Sequence, residues 1–106
     1  MLDFTWVVAG PQATRLLAAW GAEVVKIEWP ERIDVIRFET PAPAGMEIEP
    51  EYAMEASGFF NDLNANKSSL TLNMRDEAGK RLFERLLAKA DVVVENFSPA
   101  AMERWG

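Results

Sequence analysis

Two stretches of the sequence, 2–28 and 68–95, repeat one hydrophobic order: a short apolar run, a segment of helical spacing, and a second apolar run. Two strand–helix–strand units in succession predict a parallel α/β sheet with right-handed crossovers. Ligands of such sheets sit beyond the carboxyl ends of the strands. The places to search for chemistry are therefore residues 8–11, 28–37, 74–76 and 96–98.

The first run, residues 2–8, is rich in apolar, aromatic and β-branched residues and reads as a buried strand closed by Gly10-Pro11. Pro11 suits the first turn of a helix, where its missing N–H costs nothing. Ala13, Leu16, Leu17 and Trp20 then follow helical spacing, and Gly21 is placed to cap the helix. Residues 22–28 read as the next strand. From Pro30 to Asn66 the periodicity fails, and the proline-rich, acidic part of this stretch reads as a long loop. Alternation returns with Leu70, Leu72 and Met74 in a strand-like run over 68–74. Asp76 is the expected N-cap of a helix over 77–89 with an apolar stripe of Ala78, Leu82, Phe83, Leu86 and Ala90. A fourth strand is predicted over 91–95, and Pro99 marks a last helical start.

Composition excludes several chemistries. Neither cysteine nor histidine occurs among the 106 residues. Disulfides, thiolate nucleophiles, Cys/His zinc sites and a Ser-His-Asp triad are therefore absent from these residues. A net charge of −6 argues against a nucleic-acid partner. Six acids (Glu39, Glu47, Glu49, Glu51, Glu55, Asp62) fall between residues 39 and 62 without a single Lys or Arg, while the flanking sequence is close to neutral. That acidic excursion, over 39–66, reads as a soluble loop or, functionally, as a lid or subunit contact. No apolar run approaches the roughly 20 residues of a membrane span. Met1 leads straight into a strand-like run, without a signal-peptide pattern, so the expectation is a cytoplasmic protein with no membrane partner.

Ala9-Gly10-Pro11-Gln12 occupies the turn where a dinucleotide site carries Gly-x-Gly-x-x-Gly, and the second and third glycines are missing. A nicotinamide cofactor is not expected. Asn96, Phe97 and Ser98 leave the fourth strand together and offer amide, ring and hydroxyl groups; they read either as an Asx-type cap or as contacts for a ligand with a ring and amides. Arg75 and Arg104 are placed for bidentate phosphate contacts, each an ordinary solvated arginine otherwise. Lys67 reads as a turn lysine, with phosphate contact as the alternative. Trp6, Trp20, Trp29 and Trp105 read as packing residues.

Five motifs in order, carried by these residues, resemble the class III CoA-transferases, the CaiB/BaiF family. They are Asp3-x-Thr5 before Ala9-Gly10-Pro11, the strand "GAEVVKIE", "NKSSL", "ADVVVENF" and Met102-x-Arg104-x-Gly106. The resemblance spans nearly the whole chain and fails in the acidic insert. It implies a Rossmann-like parallel sheet with helices, in which residues 1–106 are the amino-terminal, partial CoA-binding α/β domain of a larger CoA-transferase. It implies an acyl-CoA and a carboxylic acid as partners, coenzyme A as the carried group, no metal, and an interlocked homodimer at full length. The family's chemistry uses an aspartate carboxylate, a mixed anhydride and an enzyme-bound CoA thioester.

Carried over by position, the resemblance puts CoA contacts at Val8 and Ala9, at Leu72, Asn73, Met74 and Arg75, at Asn96, Phe97 and Ser98, and at Arg104. It places the catalytic aspartate beyond Gly106, so these residues supply no catalytic group. Val8 stands where some transferases have glutamine, and Trp29 where some have arginine; Arg32 and Arg37 are the two candidates to replace that arginine. Two rival readings share these features: an α-methylacyl-CoA racemase-like enzyme, and a non-catalytic truncated interaction module. An unfinished β-α pattern leaves sheet edges open, so the 106-residue chain alone is expected to self-associate in sedimentation velocity. A monomer that unfolds cooperatively would contradict this.

Overall fold

Four short strands, β1 (Leu2–Asp3), β2 (Val25–Glu28), β3 (Ser68–Thr71) and β4 (Val93–Val94), pair in parallel in the order β3-β2-β1-β4. They belong to a computed structural model that describes residues 1–39, 45 and 47–104. Residues 40–44 and 46, in the proline-rich stretch, and Trp105 and Gly106 lie outside the described residues. The helices are α1 (Ala9–Ala19), α2 (Gly58–Leu63), α3 (Glu77–Leu87) and α4 (Pro99–Glu103). The α/β sheet expected from the repeated unit is present. None of the described helices is long and apolar enough to cross a membrane.

Adjacent residues of a strand point to opposite faces, and here the two faces differ in kind. One is apolar: Leu2, Phe4, Ile27, Leu72 and Met74 form the core, against which Phe83 and Leu86 of α3 pack. Phe83 meets Phe4 edge-on, with ring centroids 5.5 Å apart. The other face carries Asp3, Thr5, Lys26 and Glu28, all buried. Their partners come from outside the sheet. Asp3 accepts hydrogen bonds from Thr14 of α1 (2.7 Å) and from Lys67 (2.9 Å). Lys26 pairs with Asp34 at 3.4 Å and donates to the Thr5 carbonyl. Arg37 grips Glu28 through two nitrogens, at 2.7 and 3.1 Å, and its guanidinium lies 3.6 Å from the centre of the Phe60 ring.

This polar face corrects several expectations. Thr14, Pro11 and Ala18 are the buried residues of α1, while Leu16, Leu17 and Trp20 point outward; Trp20 is 81% exposed and so is not a packing residue. The sheet beneath α1 needs a hydroxyl donor and small side chains, so the apolar stripe is turned away. Lys67 is neither a solvated turn lysine nor free for phosphate, because Asp3 and the Asn64 amide oxygen, at 2.8 Å, hold it. On α3, Phe83 and Leu86 face the core, joined by Ala90 just beyond the helix, whereas Ala78 and Leu82 are exposed.

The strands are shorter than their hydrophobic runs. Ladder bonding of β1 ends with Phe4 N–H donating to the Val94 carbonyl at 2.8 Å. Beyond it, side chains replace strand partners. Asn96 Oδ1 accepts from Trp6 N–H at 2.8 Å, Asn96 Nδ2 donates to the Trp6 carbonyl at 2.9 Å, and Asp34 accepts from Val7 N–H at 3.0 Å. Val7 is thereby held at φ 65°, a left-handed conformation costly for a β-branched residue. The chain turns here into α1, two residues earlier than Pro11 suggested.

Residues 30–66 are not one loop. Asp34 accepts from Ile36 N–H (3.2 Å) and starts a 3₁₀ turn, Val35–Arg37; a second spans Pro50–Glu55. Ser57 caps α2 by accepting from Phe60 N–H (3.2 Å) and itself donates to the Ile36 carbonyl at 3.0 Å. Ile36, Phe60 and Leu63 form a second small core. The predicted helix ends fare better. Asp76 accepts from Ala78 N–H at 3.2 Å, and Gly21, at φ 97°, ends α1 with Gly21 N–H bonded to Ala18 and Ala22 N–H to Leu17.

Burial alone would raise the Asp3 carboxyl, but bonds from Thr5, Thr14 and Lys67 outweigh it and hold the group below its usual value. Burial likewise opposes Glu28, and Arg37 overcomes it. Burial pushes the Lys67 ammonium down, despite Asp3. The unfolded chain therefore takes up protons at Asp3 and Glu28 before the folded chain does, so acid favours unfolding. Their contribution should be complete above their ordinary values of 3.8 and 4.5 and be lost as pH falls below them. Urea unfolding between pH 7 and 3 measures this, and a flat profile would refute it. Asp3→Ala strands Lys67 and should cost about 3–5 kcal/mol in the same assay.

Candidate functional site

A cavity of about 490 Å³ opens at the carboxyl ends of the four strands. Its inner wall is the apolar face of the sheet continued outward: Phe4, Ile27, Leu72 and Met74. Trp6, beyond β1, and Phe97, beyond β4, form one side, meeting edge-on with ring centroids 5.2 Å apart. Asn96 fixes that pair by clamping the Trp6 backbone, while Glu95 accepts from Phe97 N–H at 2.7 Å. The rim is cationic, with Arg32 after β2, Arg75 after β3 and Arg104 after α4. Glu28 also reaches the cavity, but its two oxygens are taken by Arg37.

The turn carrying Asn73 and Arg75 is rigidly made. Asn73 Oδ1 accepts from Arg75 N–H at 3.0 Å, and the Asn73 carbonyl accepts from Asp76 N–H at 3.3 Å. Gly79 of α3 packs so closely on this turn that a Cβ there would overlap the Asn73 carbonyl. The sequence at 73–79 thus needs an Asx turn, an N-cap and a glycine in succession, and has all three.

Of the residues singled out in the sequence, Leu72, Asn73, Met74, Arg75, Phe97 and Arg104 converge on this cavity. Val8 and Ala9, at the exposed start of α1, do not line it. Asn96 stands behind its wall as the Trp6 clamp, and Ser98 precedes α4 without a side-chain cap bond. Sequence reasoning missed Phe4, Trp6, Ile27 and Trp29 as lining residues. Their signal was the alternation of the first two strands, which puts Phe4 and Ile27 on the face shared with Leu72. Trp6 and Trp29 thus line the cavity, and Trp6 also packs against Phe97. Of the two candidate replacements for an arginine at position 29, Arg32 lines the cavity and Arg37 is buried in the Glu28 pair.

An aromatic and aliphatic floor beneath three guanidinium groups suits a ligand with a ring and several negative charges. Among the described residues, no group of three or more acids is placed to hold a metal ion. A family model described as CoA-transferase family III matches residues 1–106. A formyl-CoA:oxalate CoA-transferase of Escherichia coli O6:H1 is 41% identical over all 106 residues, which cover 23% of that protein; one from Shigella boydii serotype 18 gives the same figures. The chain thus spans about a quarter of the length of the curated relatives it matches. A CaiB/BaiF family protein from Brucella suis superposes with a TM-score of 0.78 at 32% identity, over 98% of this chain and 26% of that one. A Mycobacterium tuberculosis protein in an orthorhombic crystal form gives 0.80 at 37% identity, over 99% and 27%.

Gly79→Ala should destabilise the fold by about 1–3 kcal/mol through displacement of the Asn73 turn, read as a lowered urea midpoint. Arg104→Ala, on the exposed rim, should leave that midpoint within about 0.5 kcal/mol of the wild type.

Proposed function

Because the chain belongs to CoA-transferase family III, we propose that its cavity receives coenzyme A in an acyl-CoA:carboxylate CoA-transferase. The observation that carries this reading is the convergence of Arg32, Arg75 and Arg104 on an aromatic-walled cavity at the carboxyl edge of the sheet. The rim arginines meet phosphate charge, and Trp6, Trp29 and Phe97 offer flat apolar surface to a ring. Leu72 to Arg75 are the contacts from β3's end; Phe97 and Arg104 are those from the last segment. Val8 and Ala9 contribute backbone groups nearer the reacting carbonyl, Asn96 holds that edge in place through the Trp6 backbone, and Ser98 offers its hydroxyl to the ligand.

The attacking carboxylate comes from outside these residues in this reading. Glu28, the only carboxylate on the cavity wall among the described residues, is held by Arg37 below its usual range after burial is overcome. A carboxylate so bound is a poor nucleophile. An aspartate of the intact protein attacks the acyl-CoA carbonyl, the thiolate leaves, and a mixed anhydride forms. The thiolate then attacks the aspartyl carbonyl, which frees the donor acid and leaves an enzyme–CoA thioester. An acceptor carboxylate reverses both steps, carries CoA away and restores the aspartate. Names of transferases among the relatives support transfer over proton exchange at an α carbon. A homodimer at full length would cover the outward apolar side of α1.

Calorimetric titration with CoA tests the cavity. Arg75→Ala and Arg104→Ala should each weaken binding about tenfold, with the wild-type affinity falling as salt rises. Unchanged affinity in both variants would remove CoA from this cavity.

A further inference from the structure

Among the described residues, two that are not glycine have positive φ: Asn66 at 63° and Val7 at 65°. Asparagine tolerates that conformation, whereas a β-branched residue does not. Val7 is 45% exposed, so burial of its side chain does not hold it there. The hold is on the backbone. Val7 N–H donates to both oxygens of Asp34, at 3.0 and 3.1 Å. Asn96 clamps the N–H and carbonyl of the preceding Trp6. Strained conformations persist only where their surroundings over-determine them, and they collect at functional sites.

Asp34 is itself fixed from the sheet side. It is 0% exposed, it pairs with Lys26 of β2, and its N–H donates to Glu28 Oε1 at 3.3 Å. Lys26 also donates to the Thr5 carbonyl, so β2 grips both the carboxylate and the start of the turn. Capping the 3₁₀ turn at Ile36 and matching Lys26 do not require a left-handed Val7. What the left-handed residue decides is the direction in which Val8 and Ala9 leave β1. We propose that Asp34 is a positioning residue of CoA transfer, which through Val7 N–H holds the turn that aims the Val8 and Ala9 backbone at the thioester carbonyl. This rests on the reading that those two residues adjoin the reacting carbonyl. Asp34 touches no reacting atom; it sets where the groups stand that meet charge developing on the carbonyl oxygen.

Steady-state kinetics and CoA calorimetry on the intact protein test this, with a panel of short-chain acyl-CoA donors and mono- and dicarboxylate acceptors. Asp34→Asn keeps the shape but gives up the charge and one of the two accepting oxygens. It should lower kcat about tenfold and leave KM for the acyl-CoA near that of the wild type. In a Val7→Gly background the same change should cost only about twofold, because glycine takes positive φ as readily as negative. If Asp34→Asn does not fold, the Lys26→Met/Asp34→Asn pair, which leaves no buried charge unmatched, carries the same comparison. An equal loss with glycine at position 7, an unchanged kcat, or a raised KM at full kcat would overturn the positioning role and leave CoA binding intact. A wild type that binds CoA but is inert toward the whole panel would overturn the transfer reading beneath it, and one that does not bind CoA would overturn the CoA reading itself.

Discussion

The structure depends on the ion pair between Asp3 and Lys67. Asp3 sits in the central strand at 0% exposure, and an unmatched carboxylate there would be prohibitively costly. Its four bonds come from Thr5 N–H and hydroxyl, from Thr14 and from Lys67. That one carboxylate therefore fixes the turn after β1, the face of α1 that lies on the sheet, and the approach to β3. Lys26 and Asp34 repeat the logic one strand over, and Glu28 and Arg37 repeat it at the strand's end. Among the described residues, every fully buried side-chain nitrogen and oxygen has a partner. The order found between residues 30 and 66 follows from this, since Asp34 and Arg37 both lie there.

What was legible in the sequence was whatever depends on local spacing. The doubled strand–helix–strand order, the cap at Asp76 and the glycine end of α1 need only a few neighbouring residues to be recognised. Alternation in the third strand located Leu72 and Met74, and with them the turn at Asn73 and Arg75. Lys67, Thr14 and Asn96 could not be read correctly because their partners are remote: Asp3 is 64 residues from Lys67, and Trp6 is 90 from Asn96. The same remoteness hid which face of α1 is buried. Periodicity identified its apolar side but not what lies beneath the opposite side, and a sheet face bearing Asp3 selects Thr14 over Leu16. Ser57 and Asp34 did carry capping chemistry, but in a stretch whose prolines and acids obscured it.

The candidate site divides its work between the two faces of one sheet. The apolar face supplies packing below and, continued past the strand ends, the floor of the cavity. The charged face reaches the cavity only at Glu28 yet sets its rim, because Arg37 neutralises Glu28 and leaves the cavity arginines uncompensated. A cationic rim thus arises in an acidic chain without a glycine-rich loop. Its positive field comes from side chains held at the ends of three different segments, and the backbone amides that a dinucleotide site would use play no part in the cavity wall.

The pairing of β1 has a consequence for the order in which the chain is made. Leu2 lies beside Val93, and Asp3 beside Val94. On a ribosome β1 emerges before the other three strands and must wait for nearly the whole segment before its second neighbour exists. Until then one edge of a two-residue strand, with its buried carboxylate and the Phe4 ring, stands open to whatever else is nearby. Contacts so distant along the chain slow folding and lengthen exposure to aggregation. Synthesis of residues 30–95 is thus the interval in which a nascent chain of this kind most needs a chaperone.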